Sequence, residues 1–425
     1  MSRDLVERAT GAFVKRRISV LKVGSMVTGI HTIRRFVFCI ALTLGLSGIA
    51  QEIEDSASDD ASQAIPAIPG VTEDQILFGQ SAAFEGPAAA LGRGMNLGIK
   101  AAFAEVNATG GVYGRELKLV QRNDGYEPEL AIVNSRALLE EDQVFALIGG
   151  VGTPTSRAAL PIADSAKVPY IAPFTGAGFL RDSTSYSVNL RASYDQETSR
   201  IVQYLTDTLN VSRIAVVYQN DSYGQVGLQG VQKAMGALGR ELVGIGAYPR
   251  NTKAVKTALL DVAKTNPEAI VIIGAYAPTA EFILWAKKLG LDSVFFTISF
   301  VGSQALASAL GEQGKGVYVS QVVPTPDSKE LLIAWQYREA LRKHDPLAET
   351  GFVSFEGYLA GRMTISLLEE AGRELTRAKF MDAMRNMTFD DLDGFSLQFG
   401  ETDNQGSDQV FLTMIGDNQT YQAVQ

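Results

Sequence analysis

Cysteine and histidine are nearly missing from this 425-residue chain: Cys39 stands alone, and the two histidines are His31 and His344. One thiol closes no disulfide within the chain. So little sulfur and imidazole excludes metal sites built on Cys and His, and triads that need a histidine base. Neither a Walker phosphate loop nor a Gly-x-Ser-x-Gly elbow occurs in residues 51–425. Basic charge is scarce too, with 38 Lys+Arg against 47 Asp+Glu. A net charge of −9 does not suit nucleic acid or anionic lipid. Length predicts roughly two to three domains, and 46% hydrophobic with 20% charged residues is a globular composition.

The first fifty residues differ from the rest. Arg34-Arg35 precede an apolar run from Phe36, which ends in Ser47-Gly48-Ile49-Ala50. At about fifteen residues the run is short of the ~20 that span a bilayer, so a secretory leader is expected rather than an anchor. Small residues at −3 and −1 (Gly48, Ala50) predict cleavage after Ala50, and a start at Met26 would give a leader of ordinary length. Cys39 has no lipobox before it, so lipid anchoring is not expected. Beyond residue 50 the chain holds 30 basic and 45 acidic residues, net −15. Residues 51–72 are acidic and small with two prolines, a flexible linker.

From Asp74 strands and helices alternate. Strands are predicted at 76–83, 116–124 and 144–150, separated by helices at 88–108 and 128–141. A second cycle of the same kind runs from about Asp195 to Phe300, through Tyr218, Ile272 and Phe296. Regular β-α-β units predict parallel sheets with right-handed crossovers, and two such cycles predict two α/β lobes. Two more helices follow, at 329–343 and 351–372, and a polar tail of antiparallel strands closes the sequence.

The most informative segment is Val144–Phe179. A buried strand runs into Gly149-Gly150, then Gly152-Thr153-Pro154-Thr155-Ser156 opens a helix; a second strand opens into Thr175-Gly176-Ala177-Gly178. Two successive strand ends thus offer backbone N–H groups and small hydroxyls, as an open α/β sheet does for an anionic or polar ligand. Thr153 is either a plain helix cap or a ligand anchor, and the two are compatible. Tyr223 and Tyr276 follow strand ends in the second cycle. Gly92-x-Gly94-x-x-x-Gly98 is one residue too long for a dinucleotide fingerprint and reads as close helix packing. Glu401-x-Asp403-x-Gln405-Gly406 reads as a hairpin turn rather than a calcium loop. His344 beside Asp345-Pro346 reads as a surface residue.

Taken in order, Gly86-Pro87 before a long helix, the segments 107–120 and 151–173, and Asp221-Ser222-Tyr223-Gly224 resemble the type I periplasmic binding proteins of ABC importers, in particular the Leu/Ile/Val-binding family. The resemblance covers the chain from about Gln75 onward. It implies an α/β fold of two doubly wound lobes joined by a three-crossover hinge, lobe 1 being 73–193 with 324–393 and lobe 2 being 194–323 with 394–425. It implies a monomeric periplasmic protein, no enzyme, that binds a small molecule and meets a membrane permease, with no cofactor, metal or nucleic acid. By position, Thr153 resembles the hydroxyl residue that takes the ligand carboxylate. Phe174, Thr175 and Gly176 fall on the second loop, while Tyr223, Tyr276 and Phe352 line the side-chain pocket and Leu91 closes it. Gly176 and Ser299 depart from the pattern, standing where a hydroxyl and an acid commonly meet the ligand ammonium.

Three ligand classes stay open: a hydrophobic or branched-chain amino acid, a related small carboxylate, and an aromatic or aliphatic carboxylate without an amine. Glu85 and Glu356 are candidate substitutes for the missing acid. A ligand-sensing receptor on the same fold is the rival function, disfavoured because no DNA-binding segment follows the leader; a hydrolase lacks its nucleophile and base. The leader gives the first testable outcome. Mass analysis of the exported protein should find Gln51 at the N-terminus, and a soluble form retaining residues 36–50 would overturn the cleavage site.

Overall fold

The structure, a computed structural model, describes residues 68–387 and 390–424; the expected leader and residues 51–67 of the expected linker lie outside the described residues. The first set of elements is β1 (Gln75–Ala82), α1 (Ala89–Asn107), β2 (Glu116–Asn123), α2 (Pro128–Glu140), β3 (Ala146–Ile148), α3 (Thr153–Ser165), β4 (Tyr170–Ile171) and β5 (Ser187–Val188). The strands form a parallel sheet in the order β2-β1-β3-β4-β5.

The second set is α4 (Tyr194–Gln203), β6 (Ile214–Gln219), α5 (Ser222–Ala237), β7 (Gly244–Tyr248), α6 (Lys256–Ala263), β8 (Ala269–Ile273), α7 (Tyr276–Lys288), β9 (Val294–Thr297), α8 (Ser303–Leu310) and β10 (Tyr318–Gln321). Then come α9 (Leu332–His344), α10 (Phe352–Ala371), α11 (Arg377–Asn386), β11 (Asp390–Asp391), β12 (Ser396–Leu397), β13 (Phe411–Ile415) and β14 (Tyr421–Val424). The second sheet runs β14-β13-β10-β9-β8-β6-β7, with only the β10–β13 and β13–β14 pairings antiparallel. β8 is buried at every position, which suits its unbroken run Ala269-Ile270-Val271-Ile272-Ile273 for a strand covered on both faces.

Strand order reverses between β1 and β3 in the first sheet and between β6 and β8 in the second. At such switch points adjacent loops diverge and leave a crevice at the carboxyl ends of the strands. The chain passes between the two sheet regions three times, through 189–193, 322–331 and 398–410. The first and third passages run side by side: Asn189 N–H donates to the Asn404 carbonyl at 2.8 Å, and Gly406 N–H to the Asn189 carbonyl at 2.8 Å.

Helices α9 and α10 return to pack on α1. A Cβ on Gly98 would sit 1.9 Å from the Ser354 carbonyl, and one on Gly357 would sit 2.4 Å from the Met95 carbonyl. The glycine spacing of α1 therefore serves backbone contact between two helices. The segment 400–403 is the expected tight turn, with Gly400 and Asp403 exchanging backbone hydrogen bonds of 3.0 and 3.2 Å.

Three local features differ from expectation. Helices α8 and α11 were not visible in the residue pattern: α8 is eight residues, and α11 is polar enough that only Phe380, Met381, Ala383 and Met384 are buried. The strand expected to run through Phe300 ends at Thr297 and gives way to a short 3₁₀ turn, Ser299–Val301. A run of apolar residues cannot by itself distinguish a buried strand from a buried turn.

The helix contact predicts a contrast between glycines. Gly98→Ala should cost roughly 1–3 kcal/mol, because two backbones would have to part. Gly236→Ala, exposed in α5 with nothing within 4 Å of the added carbon, should be neutral or stabilise by up to about 1 kcal/mol. Urea denaturation of the two variants gives the comparison; equal responses would remove close helix approach as the reason for Gly98.

Candidate functional site

At the carboxyl edge of the first sheet two loops zip together. Gly149 N–H donates to the Ile171 carbonyl at 2.8 Å, Phe174 N–H to Gly150 at 2.7 Å and Gly152 N–H to Phe174 at 3.2 Å. Gly152 has φ 101°, and a Cβ there would lie 2.1 Å from the Tyr126 ring, so this turn needs glycine twice over. α3 begins immediately after it with no side-chain cap. The Thr153 hydroxyl instead meets the Thr175 hydroxyl at 2.7 Å, both fully buried. First-turn N–H groups of a helix have no acceptor within it and carry partial positive charge. Thr153 and Thr175 therefore place two hydroxyls at an end suited to an anion.

Loops of the second sheet face this edge. Phe300, fully buried on the turn after β9, has its ring centroid 5.6 Å from Phe174, 5.9 Å from Tyr126 and 4.5 Å from Tyr223. Tyr223 also packs on Tyr194 at 5.6 Å. Asp221 caps α5 by accepting from Tyr223 N–H at 3.0 Å and Gly224 N–H at 3.2 Å, which aims Tyr223 at the cluster. Leu91 is buried in the first turn of α1, where a Cβ on Gly302 would come within 2.5 Å of its Cδ2 and 3.7 Å of Tyr276 Cδ1.

Charge enters from the first passage between the sheets. Arg191 is 1% exposed, with its guanidinium carbon 4.7 Å from the Phe174 ring centroid. Its Nη2 donates to the Ser299 hydroxyl and lies 3.6 Å from Glu197 Oε1, while Nε lies 3.5 Å from Glu356 Oε1. Ser299 passes the interaction on: its hydroxyl donates to Glu197 Oε1 at 2.9 Å and its N–H to Glu197 Oε2 at 2.9 Å. Ser320 also donates to Glu197 Oε2, at 2.6 Å. Burial works against the charge on Arg191, but Glu356 and Glu197 overcome it and hold the guanidinium protonated. Burial pushes the Glu356 carboxyl up to about 7, against the pull of Arg191 and with the push of Glu197.

Of the residues expected from sequence, Thr153, Phe174, Thr175 and Tyr223 gather around Phe300 and Arg191. Gly176 adjoins them through its carbonyl, which accepts from Tyr194 N–H at 2.8 Å. Ser299 belongs to the ionic cluster. Leu91 and Tyr276 meet at Gly302. Phe352 opens α10 and packs edge-on against Tyr421 at 5.6 Å, which in turn donates to the Ser303 carbonyl at 2.6 Å. The structure puts Glu356 against Arg191, and Glu85 on the exposed loop before α1.

Arg191, Glu197, Phe300, Tyr126 and Tyr194 escaped the sequence reading. Glu197 and Arg191 carried no motif. The one available signal was a lone arginine inside the otherwise uncharged stretch Tyr186–Tyr194.

A model described as periplasmic binding protein matches residues 75–420. The chain is 35% identical to a solved structure described as a possible leucine/isoleucine/valine-binding protein from Rhodopirellula baltica, with a TM-score of 0.80 over 85% of this chain and 98% of that one. It is 23% identical to the Leu/Ile/Val-binding protein of Escherichia coli over 76% of this chain and 88% of the relative. It is 23% identical to an amino acid binding protein of Pseudomonas aeruginosa, over 58% of this chain and 66% of that relative.

The ionic cluster makes stability depend on pH. Below about 4.5 Glu356 is protonated whether the chain is folded or not. Between that value and about 7 the unfolded chain ionises first, so stability falls as pH rises, and the loss is complete above 7. At about 1.4 kcal/mol per unit this corresponds to a loss on the order of 3 kcal/mol. Denaturation at pH 5 and pH 8 should therefore show wild type losing ground to Glu356→Gln as pH rises. Wild type gaining on the variant would mean that Glu356 is held ionised.

Proposed function

Because the chain belongs to the periplasmic binding protein family, we propose that it is the extracytoplasmic substrate-binding protein of an ABC importer. It captures a small carboxylate, the size of a hydrophobic amino acid or a relative of one, between two lobes and delivers it to the permease. Lobe 1 comprises 73–193 with 324–393, and lobe 2 comprises 194–323 with 394–425. Ligand contacts come from Leu91, Thr153, Phe174, Thr175, Gly176, Tyr223, Tyr276, Ser299 and Phe352. No bond is broken. The names of the relatives, Leu/Ile/Val-binding and amino acid binding, support the ligand size. Among the described residues no helix is long and apolar enough to cross a membrane.

The observation that carries this reading is the hydroxyl pair of Thr153 and Thr175 at an uncapped helix start, walled by aromatic rings from the opposite sheet. A carboxylate there accepts from N–H and O–H groups and gains from the helix end. The rings are buried against each other, so a ligand enters only when the lobes part. Binding that touches both lobes then stabilises the closed form, the form a permease recognises.

A thermal-shift panel of hydrophobic amino acids and their amine-free analogues tests the reading, followed by calorimetry on the best binder. Losing a hydrogen bond to a charged group costs ~1.5–3 kcal/mol, so Thr153→Ala should weaken binding roughly ten- to a hundredfold. Thr153→Ser should cost far less. Equal affinity of wild type and the alanine variant would take Thr153 out of the site, and a panel without a single stabilising carboxylate would sink the function.

A further inference from the structure

We infer that Arg191 determines the specificity of this cleft and selects small carboxylates without an α-amine, 2-oxo acids included. The inference rests on the carboxylate-binding reading above and sharpens it. Arg191 stacks over Phe174, the residue before Thr175, so its guanidinium shares a wall with the hydroxyl pair. Nη2 is satisfied by Ser299. Nη1 and Nε have no hydrogen-bond acceptor, although both are buried, and the buried Tyr223 hydroxyl on the facing lobe has no partner either. Buried donors of a charged group left without acceptors are costly, and an oxygen-rich anion is the ligand that relieves them.

A cationic ligand group meets the opposite situation. An ammonium beside Phe174 would face a fixed guanidinium in a medium that screens charge far less than water does. The acids that would offset it are engaged. Both Glu197 oxygens accept from Ser299, with Ser320 adding a third bond, and Glu356 faces Arg191 Nε at 3.5 Å. Ser299 offers a hydroxyl already shared between Arg191 and Glu197. A carboxylate on the Thr153 side with a keto oxygen toward Arg191 suits this wall; a bare carbon there only avoids the repulsion, and a zwitterion incurs it.

Calorimetry on the wild-type protein tests this with matched pairs: leucine against 4-methyl-2-oxopentanoate and 4-methylpentanoate, and phenylalanine against phenylpyruvate and 3-phenylpropanoate. In at least one set the amine-free acids should bind at least tenfold tighter. Arg191→Gln removes the repelling charge and releases Glu356 and Glu197, so the preference should shrink at least tenfold. Should that variant not fold, Glu356→Gln keeps the guanidinium and must keep the preference. Amino acids binding as tightly as their analogues would overturn the inference and leave the carboxylate cleft standing; so would amino-acid affinity lost on Glu356→Gln, which would make that acid an ammonium partner. Absence of binding in every set would overturn the cleft reading and this inference together.

Discussion

A single buried positive charge joins the parts of this molecule. Arg191 lies on the first of three passages between the sheets and is held by Glu356 from α10, Glu197 from α4, and Ser299 from the turn after β9. Those groups come from elements packed on different sheets. An isolated buried charge is costly, and two carboxylates with a hydroxyl relay offset it only when all of them arrive together. The ionic cluster thus depends on the closed arrangement as much as it contributes to it.

The aromatic layer beside the charge has the same property. Phe300 touches Phe174 and Tyr126 from the first sheet region and Tyr223 from its own. On the polar side, Glu127 pairs with Arg250 and accepts from Asn251 Nδ2 at 2.7 Å, again across the cleft. Apolar contact, ion pairing and hydrogen bonding therefore all span the same crevice. An opening motion would break them together. A ligand that replaces the Phe300 contacts with contacts of its own would tip that balance.

The fold was legible because its signals are local. Strand–helix alternation, glycine at Gly98 where α1 meets α10, and the hydroxyl-rich starts at Thr153 and Thr175 can each be read within a short window. Even so, local reading assigned Phe300 to a strand and missed α11, whose few apolar positions leave little periodicity. The Thr153 hydroxyl looked like a helix cap as well as an anchor; its partner is Thr175, on the neighbouring loop, and no cap is made.

The sequence by itself determined the α/β architecture and the loops that lie at the carboxyl ends of the strands, while the doubly wound strand order was implied only by the family resemblance. Hydrophobic period, turn chemistry and capping act over a few residues and need no knowledge of distant neighbours. Only the tertiary structure decided the charge inside the cleft. Arg191 Nε and Glu356 Oε1 are 3.5 Å apart in space though far apart in sequence, and Ser299 reaches Arg191 from the turn after β9. Desolvation and Coulomb energy depend on distance and burial, so a lone arginine reads as surface until the fold shows what surrounds it.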